Sequence, residues 1–227
     1  MNDFIYTGSW FDNLYRTKLD GRYPTMKAAL NLLEQLTPVP SIIVETGVAR
    51  MEDDWGAGMS TLLFAEYCDN QNGYLYSVDN SEENCRFATN LTSKFTKVTI
   101  ICEDSVKYLK GFEISIDLLY LDSMDYPYGD LLNLYGGREE LSEAIRILSE
   151  MPQDEVLRLH GDLILPAQEH CLAELKAGLP LMTDKGVILL DDNNLPGGGK
   201  PRLAKEWLAK KGWTCVMDYQ QSLWIKR

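Results

Sequence analysis

The sequence is short of histidine, basic charge, paired cysteines and long apolar runs, and each shortage excludes something. Its five cysteines, Cys68, Cys85, Cys102, Cys171 and Cys215, are odd in number and scattered, and none belongs to a C-x-x-C pair. They read as reduced thiols rather than a disulfide framework. Lysine and arginine number 22 against 34 acidic residues, a net charge of −12, which repels a phosphate backbone, so no nucleic-acid partner is expected. The one basic cluster, Lys200, Arg202, Lys205, Lys210 and Lys211, has the spacing of a solvated helix face. No run reaches the roughly 18 apolar residues of a membrane span. Residues 1–10 carry Asp3 and polar side chains where a secretory leader has a basic start and an apolar run. With the free thiols, this places the expected location in the cytoplasm.

What is present is the composition of a globular chain: 227 residues, 45% apolar and 25% charged, enough for one substantial core. One domain over 1–227 is expected, with 1–40 as an N-terminal arm and helix and 126–165 as an insertion. Phe4, Tyr6, Trp10, Phe11 and Tyr15 crowd the first twenty residues without a clean period, so this stretch reads as an irregular arm packed on the domain. Met26, Ala29, Leu30, Leu32, Leu33 and Leu36 fall near a 3.6 period, predicting a helix that Pro38 and Pro40 stop. Strands are predicted over 41–45, 73–79, 98–102, 114–121 and 186–190, with helical segments between them. Ser81, followed by Glu82 and Glu83, marks one helix start.

The strand runs are mostly apolar, as when helices cover both faces of a parallel sheet. Runs 213–219 and 222–226, joined by a very short turn, must pair antiparallel. The predicted fold is therefore α/β: a Rossmann-like, doubly wound, mostly parallel sheet with an antiparallel C-terminal strand pair. Residues 126–165 break the alternation and carry their own helical pattern, Leu141, Ile145 and Leu148. They are read as a helical insertion over the ligand edge, either a functional lid or a mere elaboration of the fold.

Open α/β sheets bind ligands beyond the carboxyl ends of their strands. The residues there are conspicuously acidic: Glu45-Thr46-Gly47, Asp79-Asn80, Glu103-Asp104-Ser105, Asp122 and Asp191-Asp192-Asn193. A glycine after the first strand lets the backbone approach a ligand, and an acidic residue ending the second can accept ribose hydroxyls. A dinucleotide would need G-x-G-x-x-G leading into the helix. Here Gly47 is followed by Glu52, Asp53 and Asp54 before Gly56-Ala57-Gly58-Met59-Ser60, and those acids would repel a pyrophosphate. A sulfonium ligand without phosphate suits them better, and an adenine-dinucleotide oxidoreductase is improbable.

Taken in order, Val44-Glu45-Thr46-Gly47-Val48-Ala49-Arg50 with Gly58 and Ser60, then Ser77-Val78-Asp79, Glu103-Asp104-Ser105, Leu119-Tyr120-Leu121-Asp122 and Leu189-Leu190-Asp191-Asp192-Asn193, resemble the successive motifs of class I S-adenosylmethionine-dependent methyltransferases. The resemblance covers roughly 42–227 and implies seven strands. It also implies that Glu45 and Gly47 lie under the methionine part of the cofactor, that Asp79 binds the ribose and that Asp104 with Ser105 flanks the adenine, with Thr46, Gly58, Ser60, Asn80 and Asp122 as further cofactor-binding residues. Asp104 and Ser105 are equally placed to cap the helix that follows. Within the class, Asp122 with Asp192-Asn193 resembles the divalent-metal set of the catechol and caffeoyl-coenzyme A O-methyltransferases, and Asp191-Asp192 the acidic pair of cephalosporin-hydroxylase-like proteins. Asp125 stands where the catechol type has a lysine, which counts against a catechol substrate. Asp122, Asp191, Asp192 and Asn193 end adjacent strands, and their hard oxygens suit Mg²⁺ or another divalent cation rather than zinc. Three carboxylates without a cation would repel one another.

Of the two histidines, His160 reads as a packing residue and His170 as either that or a general base, with Asp125 its rival. Gly197-Gly198-Gly199 reads as a hinge or turn. The function expected is metal-assisted O-methylation of a small-molecule methyl acceptor, with homo-oligomerisation left open. The alternative is a non-catalytic binding or assembly protein that keeps the fold.

Overall fold

A computed structural model describes residues 8–37, 40–56, 58–136 and 141–226. Apolar runs bounded by turn residues form seven strands: β1 (Ile42–Thr46), β2 (Tyr74–Asp79), β3 (Val98–Cys102), β4 (Ile116–Leu121), β5 (Met182–Leu190), β6 (Trp213–Asp218) and β7 (Ser222–Lys226). They make one sheet in the order β3-β2-β1-β4-β5-β7-β6. Strands β1 to β5 run parallel, and β7 is antiparallel to both of its neighbours, β5 and β6. This is the Rossmann-like, doubly wound sheet with the antiparallel C-terminal pair that the sequence predicts. The strand order reverses between β1 and β4, the switch point at which such sheets open a crevice.

Strand residues alternate between two cores, because successive side chains leave a strand on opposite faces. Ile43, Leu118, Tyr120, Val187 and Leu189 pack on one side with α1 (Gly8–Tyr15), α2 (Tyr23–Leu36) and α3 (Ser60–Gln71). Val44, Leu119, Leu121, Ile188 and Leu190 face the other side, against α5 (Ser105–Gly111), α8 (Gln153–Gly178) and α9 (Arg202–Lys210). All six residues of β4 are buried, and each large aliphatic side chain so placed contributes about 1.5–3 kcal/mol. Helix α4 (Glu82–Leu91) links β2 to β3 and starts as expected, with Asn84 N donating to Ser81 Oγ (3.3 Å).

Three expectations change. The described part of the aromatic arm begins with helix α1, whose Phe11 and Tyr15 are buried in the core and meet the rings of Tyr23 and Trp55. Its aromatic spacing is that of one short helix face, too brief to show a period. Asp3, Phe4, Tyr6, Pro38 and Ala57 lie outside the described residues. The basic cluster is not uniformly a solvated face either, since Lys200 is only 3% exposed.

The insertion also ends differently. It holds α6 (Tyr128–Asn133) and α7 (Leu141–Glu150), but its last third is the first half of α8, which continues through Pro166 after a break at His160 (φ −130°, ψ 17°). A sequence break at 165 is therefore a bend within one long helix, and α8 ties the insertion to the main core. Tyr126, Leu131, Leu148, Val156, Ile164 and Ala167 form a satellite core there. His160 packs within it, its Nε2 2.7 Å from Tyr135 Oη.

Candidate functional site

The loop after β1 turns back on itself at Gly47 (φ 83°) and Gly58 (φ 96°). A Cβ on Gly47 would stand 2.5 Å from the carbonyl oxygen of Asp122, so only glycine lets the ends of β1 and β4 touch. Thr46 is buried at the end of β1. Glu45 lies beneath this loop, with its carboxylate fully buried and accepting from the hydroxyls of Ser60, at the start of α3, and Ser77 on β2 (2.6 Å). Burial, only partly offset by these hydroxyls, pushes its carboxyl up to about 8. Glu45 is thus a support for the turn rather than a group lining the crevice.

Asp79 ends β2 beside that turn and is partly exposed. Its carboxylate accepts from Ser81 N (2.8 Å) and Val48 N (3.3 Å) and from the Asn84 amide (3.3 and 3.4 Å). The long bonds leave Oδ2 lightly held and able to accept more. Asn80 follows it, exposed. Asp104, at the end of β3, caps α5 by accepting from Lys107 N (2.8 Å), so the capping reading holds for it.

Ser105 Oγ lies 3.3 Å from His170 Nε2, and the same nitrogen lies 3.4 Å from Glu174 Oε1, one turn further along α8. Glu174 is 1% exposed and also accepts from Ser123 Oγ (2.6 Å), just past β4. The bond to Glu174 raises the His170 imidazole above the ordinary histidine value, against burial. Both partners hold Nε2, and Nδ1 has none among the described residues. Glu174 was missed by sequence reasoning, although its i+4 spacing from a flagged histidine was the available signal.

Asp125 makes a two-pronged ion pair with Arg50 (2.7 and 2.9 Å), which joins the loops after β1 and β4. The guanidinium holds the Asp125 carboxyl below its usual range, against partial burial. That weakens it as a base, and of the two candidates it is His170 that keeps basicity.

The acidic ends of β4 and β5 do converge, because the strands are paired neighbours in register from Leu118 with Val187 to Leu121 with Leu190. Cations from within the chain already fill the space between them. Lys200 Nζ donates to Asp122 Oδ1 (2.8 Å) and Ser123 O (2.9 Å) and lies 3.2 Å from Asp192 Oδ2. Arg22, in the turn between α1 and α2, donates through Nε to both Asp191 oxygens (2.8 and 3.0 Å). Tyr120 Oη also donates to Asp191, and Gln221 Nε2 donates to it (3.1 Å) while Gln221 Oε1 accepts from Thr25 Oγ1 (2.6 Å).

Asn193 points elsewhere, with its amide donating to Asp218 (2.6 Å) and Tyr219 O (2.7 Å) and its oxygen accepting from Lys205 (2.6 Å). Among the described residues no group of three or more metal-ligating side chains is arranged to hold an ion. The set Asp122, Asp191, Asp192 and Asn193 therefore does not fit the expected Mg²⁺: two ligands are bonded to ammonium, one to guanidinium, and one is turned away.

Burial lowers the affinity of Lys200 for its proton, but Asp122 and Asp192 overcome this and hold it above the lysine range. Burial and the neighbouring carboxylates raise Asp122 towards about 7, opposed by Lys200. Gly197, Gly198 and Gly199, all at positive φ (65°, 85° and 68°), deliver this lysine. They form a buried turn rather than a hinge, with Gln168 Nε2 donating to the carbonyls of Gly197 (3.1 Å) and Gly199 (2.9 Å).

Comparison with solved structures shows a methyltransferase fold. An SAH-bound methyltransferase from Podospora anserina is 14% identical with a TM-score of 0.55, covering 93% of this chain and 81% of that one. CalS11, a TDP-rhamnose 3'-O-methyltransferase of calicheamicin biosynthesis, is 14% identical with a TM-score of 0.55, over 93% and 79% of the two chains. An rRNA methylase from Streptococcus thermophilus is 9% identical with a TM-score of 0.51, over 88% and 95%. No family model matches the sequence, and no curated protein does. No helix among the described residues is long and apolar enough to cross a membrane.

Proposed function

We propose that this protein is an S-adenosylmethionine-dependent methyltransferase that acts on a hydroxyl of a small molecule, with His170 as the proton acceptor. One observation carries the reading: a glycine turn, a lightly held carboxylate and a carboxylate-tethered imidazole stand together around the switch point of a methyltransferase-like sheet. The donor set fits an adenosyl ligand better than a nucleotide. Asp79 can accept ribose hydroxyls, while Arg50, the cation in the turn after β1, is engaged by Asp125 and is not free for a phosphate. When bound, the cofactor would supply a methyl group on a sulfonium sulfur.

The protein's own contribution is to orient the acceptor and remove its proton. Glu174 fixes the His170 tautomer by accepting from Nε2–H, which leaves the Nδ1 lone pair as base. The net charge of −12 favours a small acceptor over RNA. SAH-bound and sugar O-methylating neighbours of the same fold support this reading.

Titration calorimetry with S-adenosylmethionine and with S-adenosylhomocysteine tests it. Both should bind, and Asp79→Ala should weaken each by about 1–3 kcal/mol, the cost of a lost charged hydrogen bond. Binding of neither would return the chain to a non-catalytic role or another cofactor.

A further inference from the structure

We infer that Lys200 is a built-in counterion lying between carboxylates that the sequence resemblance assigns to a divalent cation, so that this site works without metal. The ammonium is 3% exposed and lies between Asp122 and Asp192, the two carboxylates that would otherwise clasp an ion. It donates to Asp122 Oδ1 and Ser123 O and forms an ion pair with Asp192 Oδ2, so three oxygens surround it. At 3% exposure the ammonium presents almost no surface to an acceptor molecule. The lysine therefore neutralises and positions the carboxylates and does not touch the acceptor.

Arg22 serves Asp191 in the same way. Three carboxylates against two fixed cations leave one net negative charge, a weak attraction for Mg²⁺, which loses its water reluctantly.

The backbone is shaped for this delivery. A Cβ at Gly199 would come within 2.0 Å of Asp192 O, so glycine at 199 is what lets residue 200 turn inward, and Lys200 N then donates to that same carbonyl (3.3 Å). A surface lysine would need none of this. The consequence for catalysis, that the acceptor must lose its proton to a side chain rather than to a metal, rests on the proposed methyltransferase reading. The counterion role does not.

Metal binding is read directly by Mn²⁺ paramagnetic resonance on the purified full chain, without cofactor or acceptor. Wild type should show only weak, non-saturating adsorption. Lys200→Ala should gain a saturable Mn²⁺ site, roughly tenfold or more tighter than any wild-type binding, because it leaves hard carboxylate oxygens facing an open space. Adding Asp192→Asn to Lys200→Ala should abolish the gain. If Lys200→Ala does not fold, Lys200→Gln, uncharged and of similar reach, takes its place with the same expectation. A wild-type Mn²⁺ site that Asp192→Asn removes would overturn the inference, as would a folded Lys200 variant that gains no site. Neither result touches the calorimetry that decides cofactor use.

Discussion

At the residue scale the pH response falls to Glu45 and His170. Glu45, an acid raised from 4.5 to about 8, favours the folded state while it holds its proton. The unfolded chain loses that proton near the lower value and the folded chain near the upper, so this residue's stabilisation is full below the first and is lost as pH rises through the second. The slope in between approaches about 1.4 kcal/mol per pH unit. Glu45→Gln keeps the polar contacts to Ser60 and Ser77, and urea midpoints at about pH 5.5 and 8 should differ much less than in wild type. Equal pH dependence in the two proteins would show that Glu45 is not the titrating group. His170 must be neutral to act as a base, so turnover should rise with pH through an apparent pKa above the ordinary histidine value. Glu174→Gln removes the interaction that raises it and should move the whole profile to lower pH, whereas a merely structural Glu174 would lower the plateau and leave the midpoint in place. Asp79 and Glu45 could be singled out in the sequence because they stand at the ends of strands, and His170 because histidine is scarce, although the role of Glu45 as a support could not. Lys200, Arg22 and Gln221 were not legible, since their meaning is their long-range partners, and a lysine before a helix has the same local pattern whether it faces water or a carboxylate.

At the scale of elements, the strand positions could be read because strand ends carry turn residues and apolar runs have few alternatives. The insertion could not, because Pro166 resembles a helix start although the helix bends earlier, at His160. The insertion's satellite core leans on the triple-glycine turn: a Cβ on Gly197 would crowd Leu157 and Ile164, and Tyr126 Oη donates to Pro196 O. Leu148→Ala, at a position 3% exposed, should cost about 2–5 kcal/mol in urea unfolding if that small core unfolds with the domain. Two separate transitions would instead make the insertion an independent lid. Gly199→Ala adds strain to a backbone clash and should cost about 3 kcal/mol or more, measured the same way.

For the molecule as a whole, the site should be felt in global stability. S-adenosylhomocysteine at about a hundredfold excess over its dissociation constant should add about 2.7 kcal/mol, visible as a rise in the melting midpoint that Asp79→Ala diminishes. An unchanged midpoint at saturation would disconnect the ligand from the folded state. The bonds around Asp191 also set a schedule. Arg22 and Thr25 come early in the chain, and Asp191 and Gln221 come late, with the Thr25–Gln221 bond spanning 196 positions. During synthesis at about 5–20 residues per second, the early partners wait about 10–40 s for Gln221 to emerge. A ribosome-held chain lacking β7 would have its parallel strands but not the closed acidic cluster, so that cluster closes only after the parallel part of the sheet is complete.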